Sequence, residues 1–287
     1  MRDTARELIS VFKLRIGVAI MLSALAGLAI APGAGPGGWQ TLVFALAVLV
    51  SSASAGAFNQ YAERDLDARM SRTRQRPFVT GKYRAGFGWL AVIVLLSLVS
   101  VMAATVATNF IAALLVFLGA FTYGVIYTVW LKRRTWLNIV IGGLSGSFAV
   151  LAGAAAVEPG LAPAPVLLAL VLFLWTPPHF WSLAYIYRKE YANAGIPMLP
   201  VIAGDRTSAW IIFIHTAALV TVSVLPVLYG AGPVYLAGAV AGGGYFLFSS
   251  GKFLLRPCVE TARRNFKASL LQLTLLLSAC IADSWFG

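Results

Sequence analysis

Charge is what this sequence has least of. Asp and Glu number 10 in 287 residues, and charged residues of both signs make up 11%, against about 25% in a soluble globular domain. A surface that poor in charge cannot mostly face water. Also missing is sustained in-and-out alternation along the apolar stretches, which are continuous instead, and this excludes a transmembrane β-barrel. No segment has the composition of a linker, so residues 1–287 read as one domain. Cysteine is nearly absent: Cys258 and Cys280 have no metal-type partner nearby. Nothing at the N-terminus looks like a mitochondrial transit peptide, which favours a bacterial inner membrane.

What is abundant is hydrophobic residue, 60% of the chain, with a mean hydropathy of +0.83. Nine apolar runs, none with more than one charged residue, fall at 14–32, 41–61, 88–107, 110–131, 136–157, 163–187, 209–229, 234–254 and 268–286. Each is close to the ~20 residues a helix needs to cross a bilayer. The expectation is an all-α polytopic membrane protein with nine transmembrane helices. Arg2, Arg6, Lys13 and Arg15 give the first run the look of a signal peptide, but it outlasts the ~7–15 residues of a signal h-region and is kept as a helix. All 22 Lys and Arg lie around the start of the first run or at every second connection. By the positive-inside rule the N-terminus is cytoplasmic and the C-terminus extracytoplasmic. The net charge of +12 then follows one membrane face, where topology and attraction to the anionic lipid bilayer account for it. Nucleic-acid binding does not follow. Cys258 and Cys280 fall on opposite faces and should not pair.

The two long connections, 62–87 and 188–208, are cytoplasmic and concentrate the polar residues. Loops of that length in a compact protein are usually functional or disordered. Each follows an even-numbered span, four spans apart, which hints at a duplicated architecture. At the first, Asn59, Glu63 and Asp67 are spaced i, i+4, i+8. If the second helix continues past the bilayer boundary, all three oxygens project from one face. Two carboxylates and an amide oxygen suit Mg²⁺, which takes one or two carboxylates plus substrate phosphates. Asp65 points to the opposite face and can pair with Arg69. Arg72, Arg74 and Arg76 follow with forks that grip phosphate oxygens. Together these match a metal–diphosphate complex; a solvated, charge-balanced loop is the plainer alternative.

The second loop offers one carboxylate, Glu190, among Arg188, Lys189 and Tyr191, a weak signal by itself. In the span leading to it, Pro177 and Pro178 should kink or unwind the helix, which membranes tolerate where backbone lines a cavity. His179 follows the break, and an ionisable side chain inside a span is a functional candidate; the alternative is a neutral histidine bonded to a neighbouring helix. His215 has no such context. Residues 127–135 hold Tyr127, Trp130, Lys132, Arg133 and Arg134, ordinary for an aromatic anchor with snorkelling cations, yet they share a face with both loops. Lys13 and Arg15 carry the same ambiguity.

The run Asn59, Glu63, Asp67, Met70, Arg72, Thr73, Arg76, Pro77 resembles the first acidic motif of the intramembrane prenyltransferase superfamily of the ubiquinone-biosynthesis type. More narrowly it is similar to the branch acting on haem, as are residues 131–143, 176–181 and 194–200. The resemblance implies a nine-helix bundle around a lipid-accessible cavity capped by cytoplasmic loops. It implies that Asn59, Glu63, Asp67 and Glu190 hold Mg²⁺ and diphosphate. Arg72, Arg76, Lys132 and Arg133, with Lys13 and Lys189, would bind the remaining phosphate charge, and Tyr127 would stand near the allylic cation. The implied reaction joins the farnesyl group of farnesyl diphosphate to a vinyl group of haem B, with water completing the product, haem O. On that reading His179, with Trp175 and Trp181, lines the haem pocket, axial ligation of iron being the sharper version. Leu14 departs from the family, which has proline there, and Glu190 replaces the two or three aspartates of the wider superfamily. The rivals are a sibling enzyme acting on an aromatic acid or chlorophyllide, and a transporter, which proline-broken spans suit but charges confined to one face do not.

Overall fold

A backbone in hydrocarbon has no partner for its N–H and C=O groups except itself, and each apolar run accordingly becomes a helix. The computed structural model describes residues 2–285 and among them is helical, without strands. The last expected span, 268–286, thus ends outside the described residues. The helices are α1 (Arg2–Val11), α2 (Leu14–Ile30), α3 (Gly38–Ala62), α4 (Arg64–Asp67), α5 (Phe87–Ala107), α6 (Phe110–Phe121), α7 (Asn138–Val157) and α8 (Pro163–Ile186). They continue with α9 (Arg188–Asn193), α10 (Leu199–Ile202), α11 (Gly204–Val224), α12 (Pro233–Leu255) and α13 (Val259–Asp283). Helix α6 runs on as a π-helix, Thr122–Leu131, and α11 as a 3₁₀ turn, Leu225–Tyr229.

Each expected span falls on a helix. Seven are long and apolar enough to cross a membrane, or eight if α1 and α2, bent by 49°, count as one broken span. Helix α12 is not among them, because Gly242, Gly243 and Gly244 dilute its middle. The chain is thus an all-α polytopic membrane protein. Its outer surface agrees: Phe87, Leu95, Leu98, Met102 and Val106 of α5 are all more than half exposed, a belt that only lipid covers well.

Helices consecutive in the chain pack side by side, and α13 closes the ring against α2. Helix α7 sits inside, against α2, α6 and α8. Its small residues permit this. A Cβ on Gly153 would stand 1.8 Å from the Ala24 carbonyl oxygen, and one on Gly27 2.0 Å from that of Val150, so α2 and α7 cross backbone to backbone.

One feature differs from expectation. Helix α8 runs unbroken through Pro177 and Pro178; Ser182 Oγ donates to the Pro178 carbonyl at 2.6 Å, and the backbone keeps helical form. The hint of duplication, by contrast, has a local counterpart. Helix α3 passes through one off-helix residue, Glu63 (φ −99°, ψ 11°), into short α4, and α8 passes through Tyr187 (φ −106°, ψ 22°) into short α9.

Candidate active site

The break at Glu63 does not spoil the helical phase. The Glu63 amide still donates to the Asn59 carbonyl and that of Asp67 to the Glu63 carbonyl, at 3.0 and 2.8 Å. Asn59, Glu63 and Asp67 therefore stay on one face, as their spacing predicts, and are 2%, 2% and 4% exposed. Burying two carboxylates is costly unless they are paired, and each oxygen-bearing group meets a cation. Lys13 Nζ donates to Asn59 Oδ1 at 2.6 Å, Lys132 Nζ to Glu63 Oε2 at 2.5 Å, and Arg76 to Asp67 Oδ2 at 2.6 Å. Asn59 is held the right way round because its Nδ2 donates to Thr128 Oγ1 at 2.9 Å.

Local backbone brings these cations inward. Lys13 sits in the left-handed region (φ 47°) at the bend between α1 and α2, an uncommon conformation for a side chain of its size. It faces Gly56, where a Cβ would come within 3.2 Å of the Lys13 Cβ. Its ammonium also donates to the Tyr123 hydroxyl at 2.9 Å. The π-helix, a geometry that recurs at functional sites, carries Tyr123 and Tyr127 stacked at 5.5 Å and ends at Lys132. Lys132 Nζ lies 5.5 Å from the Tyr127 ring centroid. Tyr127 fits because position 142 is glycine: a Cβ there would touch Tyr127 Cδ2 at 2.9 Å.

The two lysines differ electrostatically. Burial, then repulsion from Arg76, pulls Lys13 down to about 7. Burial also works against the Lys132 ammonium, but Glu63 beside it leads a set of opposing contributions that hold it above its ordinary value.

These groups open on a chamber of about 830 Å³, lined by Lys13, Asn59, Glu63, Asp67, Arg72, Arg76, Tyr123, Tyr127, Lys132 and His179 among others. That is toward the upper end of small-molecule pockets, ~300–1,000 Å³. Its lining also includes Arg6 and Arg15, so six cations face two carboxylates, a surplus that calls for a polyanion. An apolar slot of about 110 Å³ shares Lys13, Ile16 and Tyr123 with the chamber and runs between α2, α3, α6 and α7 past Ala55, Gly119 and Ala149.

Other expected site residues lie elsewhere. Asp65 pairs not with Arg69 but with Arg133, at 2.8 Å; this pair is half exposed and Arg133 does not line the chamber. Lys189 is exposed and also off the chamber wall. Glu190 accepts from Ser71 N at 2.8 Å and Ser71 Oγ at 2.7 Å, tying the two long loops together instead of joining Glu63 and Asp67. The reason is phase: on α8–α9 the residues that reach the chamber are His179, Phe180, Leu183 and Tyr191, and Glu190 is one residue early. His179 lines the chamber, stacked on Trp175 at 4.1 Å. Trp175 itself is behind it, and Trp181 is fully buried against Trp136 and His215.

Sequence reasoning passed over Tyr123, Thr128, Phe266 and Ser269. Tyr123 stands four residues before Tyr127 and was detectable by that spacing; Phe266 and Ser269 meet His179 from a distant helix with no local signal.

Among the described residues no three His, Cys, Asp or Glu side chains converge on a metal position. The donor set is two carboxylates and an amide, and Glu63 Oε1 is buried without a partner. Such hard oxygens, too few to enclose a cation alone, fit a Mg²⁺ completed by substrate phosphates.

A buried oxygen triad countered by three cations, beneath a bundle with an apolar slot, defines a membrane-embedded enzyme for polyanionic lipid substrates. Residues 20–274 match the UbiA prenyltransferase family, and the chain belongs to that family. Over 283 residues it is 56% identical to protoheme IX farnesyltransferase 2 of Paramagnetospirillum magneticum, covering 99% of this chain and 98% of that protein. To protoheme IX farnesyltransferase 1 of the same organism it is 45% identical over 287 residues, covering 98% and 99%. The fold matches a UbiA homologue from Archaeoglobus fulgidus solved with GPP and Mg²⁺, at a TM-score of 0.72 and 15% identity over 96% of this chain and 99% of that one. A UbiA homologue from Aeropyrum pernix gives 0.75 at 18% identity over 92% and 98%.

Proposed function

We propose that the chain is a Mg²⁺-dependent protohaem IX farnesyltransferase, joining the farnesyl group of farnesyl diphosphate to a vinyl group of haem B, with water, to give haem O. The observation that carries this is the Asn59–Glu63–Asp67 face, each member held by one cation. Those cations are transferable. When a diphosphate enters, Lys13, Lys132 and Arg76 can turn to its oxygens, with Arg72 alongside, and release the triad oxygens for the cation that the diphosphate brings. Bound Mg²⁺ would neutralise the departing diphosphate; Asn59, Glu63 and Asp67 would hold it. The lysine and arginine clamp then meets charge where it grows, on the leaving group. Tyr123 and Tyr127 present ring faces that favour an allylic cation, and the apolar slot takes the prenyl chain away from water.

The names of the two relatives support haem as the acceptor, and the solved homologue with GPP and Mg²⁺ supports the metal. Nine spans, with the N-terminus and the site at the cytoplasmic face of a bacterial inner membrane, fit the placement of the 22 basic residues. Purified protein in lipid nanodiscs, given farnesyl diphosphate, haem B and Mg²⁺, should yield haem O by mass spectrometry and stop on chelation. Product formed with an aromatic acid and none with haem would overturn the assignment.

A further inference from the structure

Completing haem O requires water to add to a carbocation, and a water that adds must lose a proton to a base. The chamber offers few. Its carboxylates, Glu63 and Asp67, are each engaged by a cation. The imidazole on its wall is that of His179.

The hydrogen bonds around this ring are satisfied by one tautomer. A hydroxyl has one proton to give, and Ser269 Oγ spends it on the Phe266 carbonyl at 2.7 Å. With the serine proton on that carbonyl, the contact between Ser269 Oγ and His179 Nδ1, also 2.7 Å, runs from Nδ1–H to the serine lone pair, which is the tautomer the proposal takes. The proton sits on Nδ1, and the free lone pair is on Nε2. Trp175 Nε1 donates to the Ser269 carbonyl at 2.9 Å and holds that turn of α13. Trp175 and Phe266 stack on the imidazole at 4.1 and 4.7 Å, 15° and 27° from parallel. The ring cannot flip without undoing these contacts, and Nε2 makes no hydrogen bond among the described residues.

Resting on the haem farnesylation above, we propose that His179 Nε2 takes the proton from the water that captures the haem-side carbocation, with Ser269 as its positioning residue. The C1–O bond of farnesyl diphosphate breaks and the diphosphate leaves with the electron pair. The vinyl π pair forms a bond from the outer vinyl carbon to C1, which leaves the positive charge on the inner vinyl carbon. A water lone pair forms the new C–O bond there, its proton passes to Nε2, and the imidazolium returns that proton to the released diphosphate or to solvent. Without His179 to deprotonate the attacking water, the cation collapses instead by losing a proton from the farnesyl-bearing carbon to the released diphosphate, giving an alkene lighter than haem O by one water.

The product ratio is the readout, because a merely structural role would not move it. In nanodiscs with farnesyl diphosphate, haem B and Mg²⁺, His179→Gln should bind both substrates and release diphosphate near the parental rate. Its haem O should fall about 100-fold, the size of effect a general base supplies, and the alkene should replace it. Ser269→Ala, which also serves if His179→Gln does not fold, should shift the ratio the same way by less. Haem O and diphosphate in the parental ratio in both variants would overturn the proposal. So would loss of haem binding together with diphosphate release and no alkene, which would make His179 a haem-binding residue. If the parent protein releases diphosphate but never alters haem, it is the farnesylation reading that fails, and this one with it.

Discussion

At the scale of single residues, neighbours in sequence divide by which way they face. Lys132 is 12% exposed and paired with Glu63 inside the chamber, whereas Arg133 is 46% exposed and paired with Asp65 outside it. Lys132→Ala should therefore lower kcat/KM by ~100-fold or more, as losing a donor to the leaving group does. Arg133→Ala and Asp65→Asn should stay near the parent, since an exposed pair is worth ~0–1 kcal/mol. Turnover assays of the three variants check this, and equal losses would place Asp65 and Arg133 in the site after all. Gly142 gives a second case. A methyl there must displace the Tyr127 ring, so Gly142→Ala should cost ~1–3 kcal/mol through overpacking and depress turnover with farnesyl diphosphate binding retained. Parental activity in that variant would mean that Tyr127 can move without consequence. Much of this was legible beforehand. The i, i+4, i+8 spacing put Asn59, Glu63 and Asp67 on one face because backbone bonds carry the phase across Glu63. Glu190 was not legible, because its place depends on where α8 ends, and one residue of phase separates it from Tyr191.

At the scale of elements, the spans could be read from the chain because hydrocarbon thickness sets their length and charge marks their ends. The double proline could not. Its lost donors argued for a break, yet α8 keeps helical form through both prolines, as membrane helices allow. The π-helix had no signal at all, since Thr122–Leu131 is as apolar as any other turn. Nor could the Ser269 partner of His179 be seen, 90 positions away. What the sequence did display, without its meaning being plain, is the run of small residues in α7. With Gly153 facing the Ala24 carbonyl, α2 and α7 cannot cross if that position gains bulk. Gly153→Val should lower the unfolding temperature in detergent markedly, by an overpacking cost at or above ~3 kcal/mol. Gly146→Ala on the same helix, where a Cβ meets nothing within 4 Å, should leave it unchanged. Equal effects of the two would show that α2 and α7 do not pack this closely.

At the scale of the whole molecule, the undecided element is α12, and its surroundings argue that it spans. Asp283, at the end of α13, accepts hydrogen bonds from the amides of Gly232, Val234 and Tyr235 at 2.6, 3.1 and 3.1 Å. These are the donors that a helix N-terminus leaves unsatisfied, and the carboxylate also complements the positive end of the α12 dipole. One end of the α12–α13 pair is thus sewn shut by an acid. The other end gathers Lys252, Arg256, Arg263, Arg264 and Lys267. With 23 and 25 residues, the two helices reach roughly 35 Å at 1.5 Å per residue, enough for a hydrocarbon core of about 30 Å. We propose that a pair so polarised sits across the bilayer with its basic end in the cytoplasm. Together with the bent α1–α2 pair it would complete the nine proposed spans and put Arg256 on the same side as Arg72 and Lys132. Reporters inserted at 230–232 should read extracytoplasmic, and those at 256–258 and beside Arg74 cytoplasmic. If 230–232 and 256–258 report the same side, α12 lies along the membrane instead of through it, the count drops to eight, and the orientation of α13 is inverted.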